Sequence, residues 1–334
     1  LIKEYSIKIN GNILCKYSGD YLHIHNLLNE NQSVEAGVDE MIGRQKSNNP
    51  RFLKSDKQKL FIPIPIFLND ANLPLCSLLK SEIQFEILFN DLNEVICDIE
   101  TPPIKVTNEG KVVDISKVTN IKHFAKLVQK IKYEESEYDF LLHLDGYTLQ
   151  DNEKFMFMHT PFQTIYSIPK YITNRITSSS PFKVYLEDFQ LPVSKLIWFV
   201  HENEDASSNY VYYDNGTKFI ENFFTFSLNN TQIVIDDMKY IHGKNTEFTE
   251  YYRYIQPYYH SKCIVPNIDD YIYEYSFALN NSHHSGSLDF SKIKTKYLEI
   301  FFNNNELKDK YISVYAICTN VLNIENEDGV IQFI

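Results

Sequence analysis

Histidine carries most of the candidate chemistry in this 334-residue chain. In "GDYLHIHNLLNENQSVEAG" (19–37), read as an extended strand, His23 and His25 fall on one face, with Glu30 and Gly37 downstream. Two imidazoles and a carboxylate are part of a ligand set for a divalent metal, whose catalytic sites need three protein ligands and an open position. No third histidine follows a Pro-x-Gly turn, so a half-buried strand bearing two histidines is the better reading. A second cluster, Ser282, His283, His284, Ser285 and Ser287, has the residue types of nucleophilic catalysis. It has no G-x-S-x-G elbow and no Asp placed to orient a base, and adjacent histidines on an extended chain point apart. It reads as a solvated turn. Asp236–Asp237 and Asp269–Asp270 could be offered as a glycosidase pair, but paired acids at strand ends are usually turn formers. With 10 glycines and neither G-x-G-x-x-G nor G-x-x-x-x-G-K, a nucleotide phosphate has no backbone cradle. The residues therefore assign no catalytic, cofactor-binding or metal-binding position.

The elements that would have to position such groups are strands. Runs bounded by turn residues recur throughout: "EYSIKI" before Asn10-Gly11, "LFIPIPIFL" before Asn69-Asp70, "SEIQFEILF" before Asn90-Asp91, and "FLLHLDGYTL". In "EIQFEILF" the two-residue period puts Ile83, Phe85 and Ile87 on one face, as in a strand with one buried side. Pro63 and Pro65 cannot donate to a ladder, which predicts an edge or rim strand there. The second half continues with "FKVYLEDF", "KLIWFVH", "NYVYY", "FFTFSL", "TQIVID", the pair "YEYSFAL" and "KYLEIFF", and "YISVYAICTNVLNI". Trp198, the single tryptophan, lies in an apolar strand that predicts burial on both faces. Helical spacing is confined to "SKVTNIKHFAKLVQKIKYEESEYD", with Ile121, Phe124, Ala125, Val128 and Ile131, and to the short "LQDNEKFMFM". Two β domains meeting near 156–162 are the economical parse.

Bulk properties narrow the function classes. A formal charge of −12 argues against a surface that neutralises many phosphates, so direct nucleic-acid binding is not expected. Five scattered cysteines without a C-x-x-C pair fit reduced thiols better than disulfides or zinc. No apolar run approaches the roughly 18 residues that span a bilayer. The sequence begins at Leu1, so an N-terminal arm is expected to be missing.

Three ordered segments are more specific: "LPVSKLIWFVHENE" (191–204), 251–300, and "ISVYAICTNVLNIENEDG" (312–329). They carry Pro192, Val193, Leu196 and Trp198; Gln256, Pro257, Tyr258 and His260; Tyr275 to Leu279; Ser285 to Ile293; then Tyr315, Ala316, Asn320 and Leu322. This series resembles the major capsid proteins of nucleocytoplasmic large DNA viruses, as do "FIPIPIFLNDANLPLCSLLKSEIQFEI" and "LLHLDGYTLQDNEKFMFMHTPFQTIYSI" in the first half. Ile317 and Cys318 depart from it, standing where that family has a polar pair.

The resemblance implies an all-β double jelly roll, two consecutive eight-stranded sandwiches over 1–158 and 159–334 with a few short helices in connections. It implies homotrimeric, pseudo-hexagonal capsomers contacting neighbouring capsomers, minor capsid proteins and, through them, an inner membrane. The expected location is the virion, after assembly in host cytoplasm, and no enzyme activity is implied. The Ser-His loop becomes a corner between strands. Alternatives are a poxvirus-type scaffold or a minor capsid paralogue. His23, His25 and Glu30 also resemble the first metal motif of the cupins, which keeps a metal-dependent enzyme as a remote alternative, and the aromatic load keeps a carbohydrate-binding sandwich as another.

Overall fold

The computed structural model describes residues 2–29, 35–42, 60–68, 71–90, 97–99, 105–108, 111–114, 128–130, 141–177, 180–201, 212–214, 218–220, 226–240, 247–260, 271–279, 284–303 and 307–332. The first half opens on a hairpin, β1 (Ile2–Ile9) and β2 (Asn12–Ser18), joined by Asn10-Gly11 with both φ angles positive. That is the Asn-Gly turn whose twist matches antiparallel strands. β3 (Ile83–Phe89) pairs with the other edge of β1. Tyr5 and Tyr17, opposite each other on β1 and β2, stack at 4.8 Å in the interior. Helices α1 (Gly19–Asn29) and α2 (Glu35–Ile42) follow β2. Two small antiparallel pairs, β4 (Cys97–Ile99) with β7 (Val128–Lys130) and β5 (Lys105–Asn108) with β6 (Lys111–Asp114), complete the described strands of this half.

Several expectations need correction here. His23 and His25 lie on α1, not on a strand. Ser18 precedes the helix and its hydroxyl accepts from the Tyr21 N–H at 3.2 Å, an N-cap with Asp20 favourably placed in the first turn. The Pro63–Pro65 segment joins no ladder. It is irregular chain laid over the hairpin, where Tyr5 donates to the Pro65 carbonyl and Tyr17 to the Ile66 carbonyl at 3.0 Å. β3 is a strand, but its interior residues are exposed on both sides rather than one. Of the helix expected over 116–139, only 128–130 are described, and they form β7. Residues 141–150 are irregular and exposed where a strand was expected. The short helix near 150 is present as α3 (Asp151–His159).

The second half is a two-sheet sandwich. Six strands form one sheet: β8 (Phe162–Arg175), β10 (Pro192–His201), β15 (Tyr273–Ser276), β16 (Leu288–Asp289), β18 (Tyr311–Glu325) and β19 (Asp328–Ile331). The long β18 lies between β8 and β10, and β15 and β16 both pair with β10. The facing sheet runs β14 (Met238–Tyr240), β13 (Asn230–Ile235), β17 (Lys296–Phe301) and β9 (Phe182–Tyr185). A separate hairpin joins β11 (Tyr212–Asp214), which overlaps the run expected at "NYVYY", to β12 (Lys218–Ile220). Phe226 to Leu228, in the run expected at "FFTFSL", are irregular. A helical run over 247–260, here α4, contains a π-helical segment at Tyr251–Ile255 and borders β15.

Between the sheets lie Val184, Ile233, Leu298 and Ile300 from one side and Leu196, Trp198 and Val314 from the other. Trp198 packs edge-on to Tyr252 of α4 at 5.1 Å and stacks on Tyr273 of β15 at 6.0 Å. The chain of β10 is buried without a break from Lys195 to His201, and that of β18 from Ile312 to Asn320. An antiparallel strand with one wet face alternates; these two are covered on both faces, as expected for the strand containing Trp198.

Replacing Trp198 by Ala removes the largest side chain of this core, and a loss of about 3–5 kcal/mol is expected, read as a lower urea midpoint by far-ultraviolet circular dichroism. Burial pushes the Cys15 and Cys318 thiols up to about 12, whereas Cys76 is partly exposed. Alkylation of the native protein at about pH 8 should modify Cys76 well before Cys15 or Cys318. Because both folded-state values are raised, their contribution is complete below the ordinary thiol pKa of about 8.5 and is lost as pH rises towards about 12.

Candidate functional site

The second face of the six-stranded sheet is where sequence-distant polar groups meet. The two-residue period of β10 sends Leu196 and Trp198 into the sandwich and Lys195 and Ile197 to the opposite side, where α1 lies. One stripe of α1, Tyr21, His25, Leu28 and Asn29, follows the 3-4 spacing of a single helix face and looks onto this sheet. Aromatic rings bridge the two halves in series. Tyr17 lies 6.2 Å from Tyr21, Tyr21 is 5.3 Å from Tyr315 of β18, and Tyr315 stacks with Tyr171 of β8 at 5.3 Å. The Ser18 and Tyr315 hydroxyls are hydrogen-bonded at 3.1 Å, so the cap of α1 is tied to the middle of the sheet.

A buried ion pair sits in the same seam. Lys195 Nζ is 2.8 Å from a Glu274 carboxylate oxygen, with the lysine side chain 8% exposed and the glutamate 0%. The lysine also donates to the His260 carbonyl of α4 at 3.4 Å. Burial lowers the pKa of His260, against the opposing pull of the Glu274 charge. Burial also raises the Tyr21 hydroxyl far above its ordinary range, reinforced by Glu274. Gln256 accepts from the Ser276 N–H at 2.9 Å, joining α4 to the end of β15. Further along the sheet, the Ser313 hydroxyl is 2.9 Å from His201 and 2.8 Å from Thr173.

The other end of the seam is a docked hairpin. The β18–β19 turn holds Asn326 and Glu327 at positive φ. The Asp328 carboxylate accepts from Asn10 and Ser81, both at 2.8 Å, and the Ser81 and Asn10 hydrogen bonds hold its pKa below the usual carboxylate range. Close approach elsewhere needs a missing side chain. A Cβ at Gly19 would come 2.1 Å from the Ile2 carbonyl oxygen, so only glycine lets α1 leave β2 at this angle.

Between α1, the sheet and the Ser-His loop lies a cavity of about 60 Å³. His25 and Asn29 line it from the helix, Ser167, Ser194 and Lys195 from the strands, and His284 and Ser285 from the loop. The two histidine motifs thus converge in part, through His25 and His284. His23 does not line this cavity, because two helical positions turn it to another side; Glu30, Ser282 and His283 lie outside the described residues. His284 Nδ1 is 3.4 Å from the Thr319 hydroxyl. Asp236 and Asp237 form the β13–β14 turn, both at positive φ, while Asp269 and Asp270 lie outside the described residues. Among the described residues no three His, Cys, Asp or Glu side chains converge as a metal site.

Sequence reasoning missed Lys195 and Glu274. Their signal was available: one charge of each sign inside the apolar runs "VSKLIWFV" and "YIYEYSF". It missed α1 because the alternation of His23 and His25 outweighed Ser18, Asp20 and the Tyr21, Ile24, Leu28 spacing.

Comparison with known proteins places this architecture. Residues 119–330 match the family described as large eukaryotic DNA virus major capsid protein, and residues 1–129 match major capsid protein N-terminus. A major capsid protein of Trichoplusia ni ascovirus 2c is 24% identical over 348 residues, covering 97% of this chain and 68% of that protein. The fold superimposes on a chain of the PBCV-1 virus capsid with a TM-score of 0.65 at 15% identity, covering 100% of this chain and 84% of that one. The Faustovirus major capsid protein gives 0.55 at 12% identity, with 97% and 72% covered.

Removing either member of the buried ion pair leaves the other charge without its counter-ion. Lys195→Met and Glu274→Leu are each expected to cost about 3–5 kcal/mol, whereas the double substitution should recover most of that loss in a urea double-mutant cycle.

Proposed function

The chain belongs to the large eukaryotic DNA virus major capsid protein family and is a structural protein of the capsid with the double jelly-roll fold, and from that premise we propose that it is a homotrimeric building block of the virion shell. The observation that carries the proposal is the seam. It fastens the first-half hairpin and α1 to the second-half sheet through a shared core, the Ser18–Tyr315 hydrogen bond and the docked β18–β19 turn. In this reading residues 1–158 and 159–334 are the two jelly rolls. Three such chains present six of them, and a ring of six sandwiches tiles a hexagonal lattice with one type of subunit.

Contacts between copies require apolar surface that a lone chain leaves in water. The segment before and within α3 has it: Leu141, Leu144, Tyr147, Phe155 and Met156 are exposed, Tyr147 by 90%. Tyr258 and Tyr259 at the end of α4 add a second aromatic patch. Obligate interfaces bury 2,000 Å² or more with an apolar centre, and these side chains are suited to it. The role is architectural rather than enzymatic. The remaining surface would meet neighbouring capsomers and minor capsid proteins, and through these an inner membrane, during assembly in host cytoplasm. The net charge of −12 speaks against direct nucleic-acid contact.

Light scattering on the purified chain should give about three times 39.3 kDa, with a hexagonal outline for the same peak in negative stain. Tyr147→Asp combined with Phe155→Asp should shift that mass to the monomer. A monomer from the unaltered chain at micromolar concentration contradicts the proposal.

A further inference from the structure

We propose that Asn10-Gly11 is a site of spontaneous deamidation that the docked β18–β19 turn keeps closed, and that conversion there bars an opened seam from closing again. Glycine after asparagine leaves the next main-chain nitrogen open to the side-chain carbonyl, because there is no Cβ to hold the two apart. Both residues are exposed here, and a Cβ built on Gly11 would meet nothing within 4 Å. The reaction needs only water. The Gly11 nitrogen, giving up its proton, bonds to Asn10 Cγ; the Cγ–Nδ2 bond breaks, and ammonia leaves carrying that proton. Water then opens the cyclic imide at either carbonyl, leaving aspartate or isoaspartate at position 10.

Geometry holds the reaction back while the halves are docked. Asn10 Oδ1 accepts from the Glu82 N–H at 2.9 Å, and Nδ2 donates to the Asp328 carboxylate at 2.8 Å. With the amide fixed at both ends, Cγ cannot swing onto the Gly11 nitrogen unless both bonds break. The partners are braced in turn. The same Asp328 oxygen accepts from the Ser81 hydroxyl at 2.8 Å and the Gly329 N–H at 3.0 Å, and Lys80 Nζ donates to the Asn326 carbonyl at 2.9 Å. Packing is equally close: a Cβ at Gly329 would stand 2.7 Å from Leu78 and 3.5 Å from Ile9. Reaction at Asn10 therefore follows the population of chains in which this turn has lifted away, as cleavage of a transiently opened segment does.

The product cannot restore the lock. Where Nδ2 donated, a carboxylate oxygen now faces the Asp328 carboxylate, two like charges with no proton between them. Lys80 does not relieve them freely, since it pairs with Glu327 at 3.4 Å. Isoaspartate also adds a carbon to the main chain of a two-residue turn whose twist has to match its strands. Conversion thus marks chains whose seam has opened, a property separate from the contacts between copies proposed above.

The full chain is incubated in mildly alkaline buffer, native or unfolded in urea, and conversion at Asn10 is followed by peptide mass spectrometry. The native chain should convert roughly tenfold or more slowly than the unfolded one. D328A, which removes the acceptor of Nδ2, should speed native conversion at Asn10 severalfold while leaving Asn215-Gly216, the other such pair in the sequence, unchanged. N10D should lower the melting temperature. N10D/D328N, in which an amide at position 328 donates to the carboxylate at position 10, should recover most of that loss. Should N10D not fold, the rates in the unaltered chain and D328A still decide. Equal native and unfolded rates, equal acceleration at both asparagines, or an N10D deficit that is absent or not relieved by D328N overturns the assignment. Each readout is independent of the trimer mass, so the two proposals fail separately.

Discussion

Covering both faces of one antiparallel sheet is the constraint on which the rest of the structure depends. β10 and β18 bury consecutive residues rather than alternate ones, so neither face can be left to water. The four-stranded sheet covers one face. On the other, β2 and α1 bring Tyr21, Ile24 and Leu28, and the interior runs without interruption from Tyr5 to Ile331. A second half separated from the first would expose Ile197, Phe199, Tyr315 and Ile317, a patch of the kind that causes association. The two halves are therefore coupled by the hydrophobic effect before any specific contact is considered.

Specific contacts then fix where the halves sit. Apolar contact alone tolerates sliding; polar groups in a dry seam do not, since a shift leaves them unsatisfied. The Ser18–Tyr315 hydrogen bond and the Asp328 contacts to Asn10 and Ser81 pin two separate points along the seam. Beneath the seam the Lys195–Glu274 pair ties β10 to β15; desolvation offsets much of its attraction, so its contribution is better assigned to the register of those two strands than to stability. Gly19 sets the start of α1 through absence, because any larger residue there would push it off β1.

How much of this was legible in the sequence depended on the range of the forces involved. Strands whose patterns reflect their own burial, such as "KLIWFVH" and "YISVYAIC", stand out because continuous apolar runs report cover on both faces. The Asn10-Gly11 turn is legible for a local reason, the freedom of both residues at positive φ. Segments set by their neighbours were misread. "FIPIPIFL" has strand composition, yet its prolines deny it a ladder and two distant tyrosines hold it by its carbonyls. In α1 the true signal, a serine cap and one 3-4 stripe, competes with a chance alternation of histidines. The cavity was not legible at all: His25 and His284 lie in unrelated motifs, and only the docking of the halves brings them together.

That docking also explains why the Ser-His loop need not be catalytic to hold several polar residues. The loop joins β15 to β16, which both pair with β10 in the six-stranded sheet, and the crossing to β17 in the facing sheet follows β16, at 290–295. Backbone groups in such a loop leave their ladders and need local partners, which serines and histidines supply in little space. Ser276 illustrates this one turn earlier, its hydroxyl bonding to the Ala278 carbonyl at 2.9 Å. Short polar side chains that close hydrogen bonds locally, beside an edge of the sheet where a buried ion pair holds β15 on β10, meet that need with the residues present.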